Sequence, residues 1–192
     1  MFNYWDLSLF HILLKSIIDW CSKNSVNEEQ IMHLIDYDRA AAIAYAERWA
    51  LSRNPKYYSF NEIGGDCTNF VSQCLYAGCG VMNYAVPNGW FYIDLNNRSA
   101  SWTSVQYFYE FLLSNRGPGP FARLSNYNEI HPADIIQLGD SNGRFYHSLF
   151  VLDVSPADIY VAAHSYDALW RPLSSYSYAK IRFLHILGAR TQ

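Results

Sequence analysis

The sequence is poor in the patterns that mark nucleic-acid binding, metal binding or disulfide scaffolds. It has no run of lysine and arginine, a formal net charge of -3 and a pI of about 6.0. An electrostatic footprint for nucleic acid is therefore not expected. The four cysteines include no Cys-x-x-Cys pair, which indicates neither a zinc site nor a disulfide framework. Most of them are predicted to be buried thiols, and no metal or cofactor is predicted.

The amino terminus lacks the features of a secretory signal. It has no basic start and no small-residue cleavage site, and its apolar centre is too short to span a membrane. Apolar residues between positions 7 and 18 recur at helical spacing, which predicts an amphipathic helix. Its partner would be the domain itself or a second copy of the chain. Residues 24–36 look like a polar linker that re-enters helix. We interpret residues 1–36 as a helical extension and residues 37–192 as one domain.

The rest of the chain changes character part-way along. An alanine-rich stretch, an apolar stripe that Gly78 would end, and an aromatic-rich stretch predict helices over residues 38–52, 67–77 and 101–117. Four short runs rich in Ile, Val, Phe and Tyr then follow, separated by turn residues: 133–138, 144–154, 158–164 and 180–187. Helices followed by antiparallel strands predict an α+β fold.

The stretch GGDCTNF places two glycines and an aspartate before a cysteine at a predicted helix start. The positive end of a helix lowers the pKa of a thiol, and a neighbouring imidazolium lowers it further. Cys67 is therefore a candidate nucleophile, with a core thiol as the alternative. Asp66 is predicted to cap the helix. Asn69 and Gln73 lie one turn apart on its predicted exposed side, where they would contact substrate or only solvent.

Two histidines are candidate partners for the thiol. His147 lies in an apolar strand pattern, where a titratable group must be paired or functional. His164 ends the next strand. A type I turn at SPAD would pair His164 with Leu149 and make it the diagonal neighbour of His147 on one sheet face. One ring would then act as base and the other as its orienter, with Asp167 as an alternative orienter. Satisfied structural histidines are the other reading, and a metal site from these three residues matches no ligand motif.

These residues resemble a known family. DCTNFVSQCL resembles the Asp-Cys-Ser/Thr helix start of the NlpC-type papain-like cysteine peptidases and amidases. It is more similar to their relatives in the putative amidase domain family of Gram-positive bacteria. The stretches RAAAIAYAERWAL, NPKYYSF, ADIIQL, YHSLFV and AAHSYDALWRPLSSY match further parts of that family. The resemblance covers about residues 37–188, with Ala133 where glycine is usual.

The resemblance implies a papain-like fold, in which a helical half carrying Cys67 packs on an antiparallel sheet carrying His147. It also implies hydrolysis of an amide bond, typically in peptidoglycan at the cell envelope, by an amidase or a stem-peptide endopeptidase. Cys67 would be the nucleophile, His147 the base and His164 the third residue. The backbone N–H of Cys67 would stabilise the oxyanion, with Tyr58 as a candidate second donor. The alternatives are an acyltransferase with the same site and a non-catalytic module that binds wall or peptide through its aromatics.

Overall fold

The computed structural model describes residues 14–16 and 31–192. The chain divides into two compact units, Met1–Ile31 and Met32–Gln192. In the first unit, residues 14–16 are helical. The rest of the helix predicted at 7–18 lies outside the described residues, as does Cys21. No helix in the described ranges is long and apolar enough to cross a membrane.

The second unit combines helices with one antiparallel sheet, which confirms the predicted α+β class. Its described helices are α1 (Arg39–Trp49), α2 (Cys67–Cys79), α3 (Ala100–Thr103) and α4 (Val105–Ser114). Its described strands are β1 (His33–Ile35), β2 (Gly119–Ser125), β3 (Ile135–Gly139), β4 (Phe145–Val154), β5 (Ile159–Ala163), β6 (Ala168–Pro172) and β7 (Lys180–Thr191). A 3₁₀ turn, Leu173–Ser175, separates β6 from β7. The strand order is β1-β7-β3-β4-β5-β6, and β2 also pairs with β7.

Several of the predicted element boundaries are wrong. The helix predicted over 101–117 is broken at Ser104 into α3 and α4, and α4 ends at Ser114. The predicted linker that re-enters helix contains β1 instead, because residues 33–35 pair with the end of β7. The main unit therefore begins before residue 37. Helix α2 runs past Gly78 and ends at Gly80, which adopts the left-handed conformation with φ 67°. Gly78 is needed inside the helix, since a Cβ there would lie 2.3 Å from the ring of Tyr37.

Helix α2 is buried against the sheet on most of its surface. Its apolar side chains, including Phe70 and Val71, join a core cluster with Phe150 of β4 and Ala162 of β5. A second cluster on the opposite face of the sheet contains Leu149 and other strand residues. The sheet thus has two buried faces, and α2 packs on one of them.

A β-bulge decides which face each histidine occupies. Near the turn, β4 and β5 pair as predicted, with Asp153 opposite Tyr160. The register then shifts between Val151 and Asp153, so that Phe150 lies opposite Ala162. A shift of one residue moves every later side chain to the other face. The diagonal pairing predicted for the two histidines is therefore wrong.

Candidate active site

A cleft of about 430 Å³ lies where α2 begins beside β4. Both the candidate nucleophile and the candidate base line it. The full lining is Gly64, Gly65, Cys67, Leu138, Tyr146, His147, Ser165, Tyr166, Arg171, Tyr176 and Ser177. The cleft therefore joins residues from the helix start, the β3–β4 hairpin and the segment after β5.

Cys67 is the first residue of α2 and is only 7% exposed. The next residue, Thr68, shares a hydrogen bond of 3.0 Å with Ser148 of β4 through their hydroxyls. The backbone N–H of Ser148 also donates to the thiol of Cys67. These contacts hold the sulfur of Cys67 against Ser148 of β4, which is the next residue after His147.

The thiol is not acidic in this structure, which corrects the expectation of an easily ionised Cys67. Burial raises its pKa above the ordinary value, and the negative charge of Asp66 adds to this. Hydrogen bonds from Ser148 and Thr68 act in the opposite direction without overcoming burial. The helix start alone does not overcome the cost of placing a thiolate away from water. Cys67 is therefore a neutral thiol at neutral pH.

His147 is 7% exposed, and its Nε2 atom makes no hydrogen bond. Burial lowers its pKa to about 4, and the positive charge of Arg171 contributes to the shift. The imidazole is thus neutral at neutral pH, with a buried nitrogen free to take a proton. The thiol and the imidazole share a cleft as an uncharged pair, without a hydrogen bond from Nε2 to sulfur.

The buried imidazole predicts a loss of stability in acid. Above pH 6.5 residue 147 is neutral in both the folded and unfolded states and adds no pH dependence. Below that, the unfolded chain takes up a proton that the folded state refuses until about pH 4. At pH 5 this lowers the free energy of unfolding by about 2 kcal/mol. Urea unfolding at pH 5 and 8 measures it, with His147→Leu as the reference that lacks the titration. Equal pH dependence in the two proteins would contradict the shift.

His164 does not contact His147. Its Nδ1 atom lies 2.6 Å from a carboxylate oxygen of Asp66, and its Nε2 atom lies 2.9 Å from the backbone oxygen of Trp49. Both ring nitrogens of His164 thus face oxygen atoms of other residues at hydrogen-bond distance. Its ring stacks on Phe70 of α2 at 4.1 Å. The predicted orienter is thus part of a buried hydrogen-bonded pair with Asp66 at the helix start.

Asp167, the alternative orienter, is also committed elsewhere. Both of its carboxylate oxygens accept from Arg53, at 2.7 and 3.0 Å. This pair lies near the surface, and Asp167 is not among the residues that line the cleft. Neither His164 nor Asp167, the two residues predicted to orient the base, contacts the His147 ring in this structure.

Asp66 is fully buried and does not cap α2 with its side chain. Its carboxylate instead accepts from the backbone N–H of Phe60 and from the side chains of Asn69 and His164. Arg53 Nε lies 3.4 Å away. The cap prediction fails because the carboxylate points to the loop before the helix. Asp66 therefore fixes that loop and is shielded from the cleft.

The other predicted substrate contacts are also internal. Asn69 and Gln73 are buried, with hydrogen bonds from Trp102 to Asn69 and from Tyr45 to Gln73. The predicted exposed side of α2 is covered because further helices pack on it. Tyr58, the candidate oxyanion donor, is partly exposed and is absent from the described lining of the cleft. Its backbone oxygen accepts from Asn69 instead.

The elements that build the cleft fall inside one family match. Residues 36–187 match the putative amidase domain family. The chain belongs to the putative amidase domain family. It is 34% identical over 189 residues to the uncharacterized protein YhbB of Bacillus subtilis (strain 168), covering 92% of this chain and 58% of YhbB. It is 27% identical over 141 residues to the uncharacterized protein YjcM of the same strain, covering 69% and 32%. The chain thus spans less than two thirds of either relative. No solved structure matches.

One cluster in the described part of this putative amidase domain could hold a metal ion. Candidate ligand atoms of His131, Asp134 and His185 lie within 4.8 Å of one another. The Asp134 carboxylate already accepts from His185 Nδ1, the amides of His131 and Ile186, and the guanidinium of Arg39. With its oxygens so occupied and a cation beside it, the cluster acts as a brace between β3, β7 and α1.

The cleft of the putative amidase domain has one residue whose role the sequence did not indicate. Arg171 of β6 lines it, and its guanidinium lies 4.0 Å from the ring centroid of Tyr176. Arg171 also donates two hydrogen bonds to Ser175. A lone arginine in a strand-like run gives no motif, and only the fold brings it to the cleft.

The two glycines before Asp66 predict a graded loss of function. Gly64 and Gly65 have φ of 93° and 104°, so alanine at either strains the backbone by about 1 kcal/mol or more. A Cβ at Gly65 would also lie 3.1 Å from Ser165 Oγ, which accepts from the amide of Asp66, whereas one at Gly64 meets nothing within 4 Å. For an amide hydrolase that uses this cleft, we expect Gly65→Ala to lower the hydrolysis rate several-fold more than Gly64→Ala. Equal rates for the two variants would show that this contact does not position the helix start.

Proposed function

We propose that the chain is a cysteine-dependent amide hydrolase, with Cys67 as nucleophile and His147 as base. One observation carries the proposal. A buried thiol at a helix start and a buried imidazole with an unpaired nitrogen line the same cleft. Membership of the putative amidase domain family supports amide hydrolysis as the reaction class. The arrangement of a nucleophile on a helix and a base on an antiparallel sheet supports a papain-like relationship to the NlpC-type enzymes.

The uncharged pair favours general-base chemistry over a preformed ion pair. As the sulfur of Cys67 attacks the amide carbonyl, His147 Nε2 takes the thiol proton. Catalytic hydrogen bonds are often long before substrate binds, so the ring is expected to close on the sulfur in the complex. The amide nitrogen then leaves with the proton from His147, and a thioester remains on Cys67.

Water completes the cycle. His147 accepts a proton from water, the hydroxide attacks the thioester carbonyl, and the thiolate leaves and is reprotonated. The backbone N–H of Cys67, at the positive end of α2, is proposed to donate to the oxyanion in both steps. In this scheme the His164–Asp66 pair acts on the helix start and does not hold the base.

Peptidoglycan is the proposed substrate, by the resemblance of the GGDCTNF stretch to wall amidases and endopeptidases. The test is to digest purified peptidoglycan with the wild type, Cys67→Ala and Cys79→Ala, and to identify fragments by mass spectrometry. Cys79 is a buried thiol at the other end of α2 and serves as the matched control. New amino termini from the wild type and Cys79→Ala, and none from Cys67→Ala, are expected. Their chemistry identifies the bond, either sugar lactyl–alanine or one within the stem peptide.

The same digest separates the alternatives. With added glycinamide, an acyltransferase would yield glycinamide adducts in place of free carboxylates. Binding of peptidoglycan without any cleavage would identify a non-catalytic module. Equal fragment release by the wild type and Cys67→Ala would remove Cys67 from the mechanism.

A further inference from the structure

The cleft holds a cation that no carboxylate of the described chain neutralises. Arg171 lines the cleft and makes no ion pair with an acidic residue in the described ranges. Its guanidinium is held on both sides, by hydrogen bonds from Nε and Nη2 to Ser175 and by the ring of Tyr176. A guanidinium that is already held in place loses little further conformational entropy when it binds an anion.

The surroundings of the cleft do not offset this charge. None of the described residues that line it is aspartate or glutamate. The nearby carboxylates of Asp66 and Asp167 are already engaged with His164 and Arg53. Because the base His147 is neutral at neutral pH, Arg171 gives the cleft a net positive charge. Such a cleft attracts anions and disfavours cationic groups.

We propose that Arg171 binds a carboxylate of the substrate and so selects amides that carry an acidic group close to the bond that is cleaved. The inference rests on the proposed function. Peptide substrates of an amide hydrolase carry carboxylates close to their amide bonds, so a carboxylate is the expected anion. The planar fork of a guanidinium suits a carboxylate with two parallel hydrogen bonds. The tyrosines of the cleft, Tyr146, Tyr166 and Tyr176, would pack on the neighbouring part of the chain.

Binding of the carboxylate has a consequence for the base. The positive charge of Arg171 contributes to the low pKa of His147. A bound carboxylate offsets that charge, so the imidazole becomes a stronger base in the complex than in the free protein. The acidic substrate would thereby improve proton transfer from Cys67 as well as binding.

The experiment measures binding to the Cys67→Ala protein, so that it does not depend on turnover. Two matched pairs of probes are titrated by calorimetry: N-acetyl-Ala-Ala against its carboxyl-terminal amide, and N-acetyl-Ala-Glu-amide against N-acetyl-Ala-Gln-amide. We expect the carboxylate of at least one pair to bind about tenfold or more tightly than its neutral partner. Arg171→Gln is expected to abolish this preference, and Arg171→Lys to retain part of it. Arg123→Gln, which removes a cation of β2 paired with Glu129, is expected to leave it unchanged.

The results separate the two proposals. A preference that Arg171→Gln abolishes supports the inference even if no amide substrate is hydrolysed, in which case the proposed function alone fails. No difference within either pair, whether from equal binding or from no binding, overturns the inference and leaves hydrolysis untouched. A preference that survives in Arg171→Gln, with the thermal unfolding of that variant unchanged, also overturns it. If Arg171→Gln unfolds, Arg171→Lys carries the comparison, and a full preference there contradicts recognition by a guanidinium fork.

Discussion

Alanine at position 67 or at position 147 is expected to lower amide hydrolysis by at least about 10³-fold. In the proposed mechanism the thiol supplies the attacking atom, and the imidazole is the one described histidine in the cleft that would take its proton. Because the two act as a unit, the double variant is expected to be no slower than either single variant. Steady-state rates of release of the peptidoglycan fragments identified by mass spectrometry give kcat/KM for the three variants.

The loss should be chemical and not structural. His147 Nε2 makes no hydrogen bond in the folded state, so its removal breaks no contact at that atom. His33→Ala, at an exposed position of β1, is the matched control and is expected to keep wild-type activity. The acid limb of kcat/KM is expected near pH 4, where the free enzyme protonates its base, because burial lowers the pKa of His147 to about 4. A multiplicative loss in the double variant, or an acid limb at pH 6.5, would contradict a buried Cys67–His147 pair.

The second large effect is expected on stability. Asp66→Ala should lower the free energy of unfolding by about 3–5 kcal/mol, since it removes the buried carboxylate that lies 2.6 Å from the His164 ring. It also leaves the amide of Phe60 and the side chain of Asn69 without their acceptor. Since native domains are stable by about 5–15 kcal/mol, this is a large part of the total. Chemical unfolding followed by circular dichroism measures it.

Two further variants make the stability test specific. Asp66→Asn keeps the oxygen that accepts from Phe60 and Asn69 and replaces the oxygen that faces His164, so about half the loss is expected. Asp167→Ala removes an exposed carboxylate from Arg53 and is expected to cost less than about 1 kcal/mol. If Asp66→Ala were as stable as Asp167→Ala, the buried pair would not hold the helix start. If His164→Ala lowered the hydrolysis rate and left stability unchanged, His164 would be a catalytic residue after all.

Local sequence patterns predict a helix or strand correctly where the residues of that one element are enough to specify it. The alanine-rich stretch and the apolar stripe after Cys67 predicted α1 and α2, because helical periodicity is a property of neighbouring residues. The four apolar runs predicted strands for the same reason. The strands β1, β2 and β6 were missed, since each is short or irregular in pattern and is held by its pairing with distant strands.

The burial of individual side chains is the property that local sequence patterns predict least well. The helical pattern predicts that Asn69 and Gln73 are solvent-exposed. Both side chains are buried, because their amides have hydrogen-bond partners on other parts of the fold. The position of Cys67 at a helix start predicts a lowered thiol pKa. Burial reverses the direction of that pKa shift. The desolvation of a group depends on everything packed around it, which no local pattern contains.

By itself, the sequence determined the α+β class, the placement of Cys67 at a helix start and of His147 in a strand, and the resemblance to amidases. These follow from periodicity and from one short motif. Only the tertiary structure decided that His164 pairs with Asp66, that Asp167 pairs with Arg53 and that Arg171 reaches the cleft. The physical reason is that one extra residue in β4 turns the later side chains to the opposite face, and burial then sets which groups can carry charge.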